Sequence, residues 1–183
     1  MIGNKFNFCP ECGGKNIEYL ENKKWFCVDC GFDLYNNVAS AVGAIISDKE
    51  NNVLFEIRAK EPRKGFLALP GGFVDQDETA ENAVARECLE ETGVQPEKVK
   101  YLCSFPNDYL YKNIAYKTCD LFFEASVPVG AGNISELLKK LHGQDSEVSG
   151  FVAKKINTKE DIENLPLAFD SAKKALKFWI LNR

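Results

Sequence analysis

The chain has 183 residues, enough for one domain or for one domain with a small module. Its residues are 45% hydrophobic and 27% charged, which excludes a disordered, collagenous or fibrous chain. The formal net charge of −4 argues against long nucleic acid as the main partner and leaves room for small phosphorylated ligands held through a metal ion. No apolar run approaches the ~20 residues of a membrane span. The opening MIGNKFNFCPECGG lacks the apolar core and cleavage site of a signal peptide. Both points lead to the expectation of a cytoplasmic protein without a membrane partner.

The first unit in chain order spans residues 1–36. Cys9-x2-Cys12 and Cys27-x2-Cys30 stand 14 residues apart. Each pair places two thiolates on one turn, close enough to share a tetrahedral Zn²⁺. Gly13, Gly14 and Gly31 follow the pairs and suit knuckles that fold back toward sulfur. Two redox pairs are the alternative, but a redox site is more often a single pair near a βαβ unit. The unit resembles a zinc ribbon, with the metal structural, because about 30 residues cannot build a sufficient core alone. Lys23, Lys24, Trp25 and Phe26 fit a nucleic-acid-binding strand, or, more commonly, a basic pair beside two packed aromatics.

Residues 37–183 read as one mixed α/β domain. Residues 38–47 (VASAVGAIIS) and 53–59 (VLFEIRA) read as strands, the first buried, joined by a polar turn. A charged loop follows at 60–65, then the turn at 70–72. Residues 79–92 lack Gly and Pro and carry an apolar stripe at helical spacing, with Gly93 as the stop. Strands follow at 99–105 and, as two segments turning near Lys112 and Asn113, within 109–127. A short helix at 135–141 and a strand at 151–156 come next. Thr158 caps a short helix, with Asp161 as a weak imitation of a capping box. An amphipathic helix over 170–181 closes the chain.

The most informative segment is GGFVDQDETAENAVARECLEETGV, residues 71–94. Glu87, Glu90 and Glu91 lie at i, i+3 and i+4 and share one helix face. They repel one another and crowd the helix end where the dipole disfavours anions. A compensating cation resolves that conflict. Hard ions such as Mg²⁺ take oxygen ligands, typically carboxylates plus substrate phosphates.

The segment resembles the Nudix box, G-x5-E-x7-R-E-U-x-E-E-x-G-U with U a bulky aliphatic residue. Seven fixed positions matched at roughly one in fifteen each give on the order of one in 10⁸ per register by chance. Cys88 at the first U position is the one soft departure. The resemblance implies an α/β/α sandwich with a mixed sheet and hydrolysis of nucleoside diphosphates linked to another moiety, dependent on Mg²⁺ or Mn²⁺. It makes Glu87, Glu90 and Glu91 the metal-facing set, with Glu91 a ligand and Glu87 a ligand or the base that takes the proton of the attacking water. It pairs Arg86 with Glu78 to brace loop against helix, and offers the Gly72 carbonyl to a metal. A further acidic residue from a later loop is usual, and Glu147 is the best candidate here. Arg58, Lys60, Arg63 and Lys64 are candidates for phosphate contact, and Tyr109, Tyr111 and Tyr116 for stacking on a base. Ordinary surface charge and sheet packing are the alternatives for these residues.

A four-cysteine ribbon before such a domain is similar to the layout of NADH pyrophosphatases. Their signature S-Q-P-W-P-F-P-x-S is only echoed by Ser104 and Pro106; the Gln, the Trp and the later prolines are missing. Three functions remain: a pyrophosphatase for NADH or a related dinucleotide, one for ADP-ribose or a nucleotide sugar, and a non-catalytic ligand sensor or regulator. The complete acidic set argues against the third. Ribbon-bearing relatives imply a homodimer.

Overall fold

The computed structural model describes residues 6–112, 114–142 and 146–183. Its contacts divide the chain into two compact units, Met1–Val38 with Asp108–Lys117, and Ala39–Asn107 with Thr118–Arg183.

In the first unit, β1 (Ile17–Leu20), β2 (Lys24–Cys27) and β3 (Asp33–Tyr35) form an antiparallel sheet in that order. Trp25 is buried between Phe6 and Tyr19, with ring centroids at 4.8 and 4.9 Å. Lys24 donates to Asp33 at 2.8 Å, so the basic pair read from the sequence is partly neutralised within the sheet.

The second unit is built on a six-stranded mixed sheet. Its order is β6 (Leu67–Ala68), β5 (Asn52–Arg58), β4 (Ala39–Ser47), β8 (Ile114–Ser126) and β7 (Glu97–Tyr111), and β9 (Val148–Lys155) also pairs with β5. β4 runs parallel to β8, whereas β5 is antiparallel to β4, β6 and β9. Side chains alternate across a strand, so one strand feeds both faces. Val42, Ala44 and Ile46 pack toward α1 (Ala80–Thr92) and α2 (Ile134–Leu138). Ile45, Val53 and Phe55 pack toward α3 (Lys159–Glu163) and α4 (Asp170–Asn182), where Ile162, Leu176 and Trp179 complete the core. The result is a helix–sheet–helix sandwich, the fold class that the sequence implied.

Three elements differ from the sequence reading. β7 runs unbroken through Pro106, where the sequence suggested a gap. It is the edge strand of the sheet, where a proline's missing N–H costs no ladder bond. The two-residue β6 is too short to show a periodic pattern. Around Thr158 the capping box is complete: Thr158 Oγ1 accepts from Asp161 N at 3.2 Å, and Asp161 Oδ2 accepts from Thr158 N at 2.9 Å.

Among the described residues, no helix is long and apolar enough to cross a membrane.

Candidate active site and metal centre

Helix α1 is positioned by its caps. Thr79 Oγ1 accepts the Asn82 N–H at 3.2 Å, and Gly93, left-handed at φ 72°, returns its N–H to the Leu89 carbonyl at 2.9 Å. Ala83, Val84 and Cys88 press the helix on the sheet; Cys88 is fully buried and packs as a small apolar residue.

The loop before the helix lies along β4. The Ala44 N–H donates to the Pro70 carbonyl, and the Val42 N–H to the Gly72 carbonyl, both at 2.8 Å. Gly71 has φ 146°, and a Cβ there would fall 2.1 Å from the Val42 carbonyl oxygen, so only glycine fits. A Cβ on Gly72 would fall 2.6 Å from Glu87 Oε1. The Gly72 carbonyl keeps one lone pair beyond its bond to Val42.

The three box carboxylates differ sharply in environment. Glu91 is buried, 7% exposed, on the core side of the helix, and its Oε2 accepts the Gly71 N–H at 2.7 Å. Burial pushes its carboxyl up to about 8, against the Gly71 bond and with the help of the Glu87 and Glu147 charges. Glu87 is half-buried, and burial raises it despite a 2.9 Å bond from Arg86. Glu90 is exposed and meets Arg86 at 3.3 Å.

Arg86 ties the site together. Its Nε and one terminal nitrogen donate to the two Glu78 oxygens at 3.0 and 2.9 Å, and that nitrogen also reaches the Phe73 carbonyl at 3.1 Å. The Arg86 bond holds the Glu78 carboxyl below its ordinary value.

Glu147 pairs with Lys60, and its carbonyl accepts the Ala59 N–H at 2.8 Å. Arg58 donates from Nε to the Pro62 carbonyl at 2.8 Å and lies over the Phe169 ring at 5.1 Å. Tyr109 is half-buried and Tyr111 exposed, both in the Asp108–Lys117 segment of the first unit.

One acidic residue escaped the sequence reading. Glu56, in the middle of β5, is 3% exposed. Its carboxyl lies against that of Glu91, and burial first, then the Glu91 charge, raise it well above its ordinary value. Its Oε1 has no hydrogen-bond partner among the described residues. The available signal was a single charge inside the apolar run VLFEI.

The donor chemistry fits a hard divalent cation. Buried carboxyls stacked against one another, one with an orphan oxygen, are the arrangement that such an ion relieves. The carboxylates do not converge as tightly as the cysteines. Among the described residues, only Cys9, Cys12, Cys27 and Cys30 bring three or more candidate ligand atoms within 4.8 Å of one another. Cys9 and Cys30 sulfurs are 3.7 Å apart, and those of Cys12 and Cys27 3.8 Å. A Zn–S bond of about 2.3 Å gives a tetrahedral edge of about 3.8 Å. The Gly13 and Gly31 N–H groups return to the Cys9 and Cys27 carbonyls, both at 2.9 Å, which makes two matching knuckles. The Phe32 N–H favours the Cys30 thiolate, yet burial and the three neighbouring sulfurs push it up to about 12. A dication removes that repulsion.

The NUDIX domain profile matches residues 38–163. The chain belongs to the NUDIX family. It is 52% identical over 71 residues to an ADP-ribose pyrophosphatase of Methanocaldococcus jannaschii, a match covering 39% of this chain and 41% of that one. It is 32% identical over 99 residues to the NAD-capped RNA hydrolase NudC of Vibrio cholerae, covering 54% of this chain and 36% of the relative. The chain thus spans less than half the length of these relatives. The solved structure of a NUDIX hydrolase from Nitrosomonas europaea superposes with a TM-score of 0.60 at 22% identity, covering 97% of this chain and 94% of that one. That likeness supports the fold.

Proposed function

We propose that the protein hydrolyses the pyrophosphate bond of a nucleoside diphosphate linked to another moiety, with Mg²⁺ or Mn²⁺, and that NADH or a related dinucleotide is the substrate. The observation that carries the chemistry is the Glu91 carboxylate, buried on α1 and held by the Gly71 N–H of the preceding loop. Glu87, Glu90 and Glu91, with the remaining lone pair of the Gly72 carbonyl, would hold the cation. When bound, the ion neutralises phosphate oxygens and lowers the pKa of its water. Glu87, half-buried and with its carboxyl raised by burial, is suited to take the proton of the attacking water. Arg86 and Glu78 lock the loop to the helix, and Glu147 adds negative charge to the site. The ribbon, residues 1–36, holds a structural Zn²⁺ through Cys9, Cys12, Cys27 and Cys30, and residues 37–183 form the catalytic domain.

The dinucleotide reading rests on the ribbon layout and on the NudC relatives. ADP-ribose is the second reading. It is favoured by the 52% identity to the M. jannaschii enzyme and by the departure from the NADH signature at Ser104 to Tyr109. Both substrates share an adenosine diphosphate joined to a ribosyl group. The test is turnover with Mg²⁺ or Mn²⁺ on NADH, NAD⁺, ADP-ribose, nucleotide sugars and NAD-capped RNA, following AMP or the released product. NADH cut well above ADP-ribose supports the first reading, and the reverse order supports the second. No turnover of any substrate with either ion overturns both.

A further inference from the structure

A charged residue in the middle of a sheet strand needs a reason. Glu56 sits on β5, with Ala68 of β6 opposite on one edge and Phe151 of β9 on the other. Its backbone is therefore locked on both sides. The alternation along β5 decides where the side chain goes. Phe55 and Ile57 point into the core under α4, and Leu54 into the core under α1. Glu56 consequently faces α1, and there it meets Glu91. The residue is 3% exposed, and its Oε1 finds no donor among the described residues.

For packing alone this is a poor choice. An aliphatic side chain would continue the Leu54 surface, whereas a buried carboxyl oxygen without a partner is destabilising. A partner absent from the protein itself resolves the cost, and it must be a donor or a cation. Glu91 already accepts from Gly71, and a proton shared between the Glu56 and Glu91 carboxyls still leaves Glu56 Oε1 without a partner among the described residues. Glu91 is also the residue that the proposed function makes a cation ligand.

We infer that Glu56 is a further carboxylate ligand of the divalent cation, supplied by the sheet, with Oε1 as its binding atom. The inference rests on the reading of Glu91 as a metal ligand. It has a consequence for the order of binding. Mg²⁺ is commonly held by one or two carboxylates and completed by substrate phosphates. One more carboxylate beyond Glu87, Glu90 and Glu91, buried and on a rigid strand, lets the free protein hold the ion before any nucleotide arrives.

The test is a Mn²⁺ titration of the full-length protein without nucleotide, by electron paramagnetic resonance and calorimetry. Glu56→Gln, Glu56→Leu, Glu91→Gln and the remote Glu163→Gln are compared with the parent. The leucine variant keeps the measurement available if the glutamine variant folds poorly, since it suits the apolar wall beside Leu54; circular dichroism checks each fold. Both Glu56 variants should bind Mn²⁺ at least about 10-fold more weakly, or one ion fewer, with Glu163→Gln unchanged. Parent-like binding in both Glu56 variants, while Glu91→Gln is weakened, overturns the role of Glu56 and leaves Glu91 as a ligand. Parent-like binding in all variants, or no binding by the parent, overturns the metal-site reading itself and this inference with it.

Discussion

The backbone N–H of Gly71 donates to Glu91 Oε2 at 2.7 Å, so the loop before α1 orients a carboxylate on the last turn of that helix. The bond exists because Gly71 adopts φ 146° and presses within van der Waals reach of β4. Gly71→Ala should therefore do two things. It forces a Cβ against the Val42 carbonyl, lowering the melting temperature, and it displaces the N–H that holds Glu91. A misplacement of about 1 Å at a reacting centre can cost on the order of 10²-fold in rate, and a loss of that size is expected here. Gly65→Ala is the control. It also has a positive φ, 82°, but its Cβ would enter open space. It should cost about 1–2 kcal/mol of stability and leave turnover unchanged. Equal loss of turnover in both variants would show that the Gly71–Glu91 bond has no special part.

Arg86 serves acceptors on Glu78, Glu87, Glu90 and the Phe73 carbonyl with one planar group. A lysine keeps the charge but cannot span the two Glu78 oxygens and the Phe73 carbonyl together. Arg86→Lys should lower stability by about 2 kcal/mol, the scale of charged hydrogen bonds lost, and turnover by about 10-fold. Urea denaturation and steady-state rates measure the two effects. A lysine variant with parent-like stability would mean that the fork geometry is idle.

The pH dependence of the metal-free protein follows from the raised carboxyls. In the unfolded chain Glu91 releases its proton near 4.5; in the folded protein it keeps the proton up to about 8. Between those values the native state binds more protons, so stability falls as pH rises from about 4.5 to about 8. Glu87 and Glu56 are raised too and act in the same direction. Mg²⁺ favours the ionised forms, so the stabilisation that it gives should grow across the same interval. Melting curves at pH 5, 6.5 and 8, with chelator and with Mg²⁺, give the answer. Metal-free stability that rises toward pH 8 contradicts the assignment of Glu91.

The sequence made local features legible and long-range ones much less so. Helix α1 was bounded correctly because Thr79 and Gly93 act on their own neighbours, within four residues. The ribbon cysteines were legible from spacing alone. The sequence reading left residues 106–108 between two strands, whereas β7 runs through Pro106; a proline there depends on the strand being an edge, and edges are set by the whole sheet. Asp161 looked like a poor capping residue beside the usual Glu or Gln, yet its shorter side chain reaches both Asn157 and Thr158 N–H groups at 2.9 Å. Glu56 was passed over as one charge in a strand. Its place against Glu91 requires the pairing of β5 with its neighbours and the packing of α1, neither of which a window of sequence contains.

The ribbon offers a prediction independent of catalysis. Four sulfurs at tetrahedral spacing should hold one Zn²⁺ per chain, and Trp25 reports on it because it is 6% exposed within the same unit. The chain has two tryptophans, so Trp179→Phe leaves Trp25 as the fluorophore. In that background Cys27→Ser, or chelation at low pH, should release the metal and shift the emission to the red as the ring meets water. Cys27 is fully buried, and an oxygen there cannot replace the thiolate without loss of affinity. Cys119→Ser, outside the cluster, should keep both the zinc and the emission. The same experiment separates structure from redox chemistry. A structural site keeps its four thiols protected from alkylation while zinc is bound and frees all four together when it leaves. Thiols that react in pairs without loss of metal would instead mean that Cys9, Cys12, Cys27 and Cys30 are redox couples.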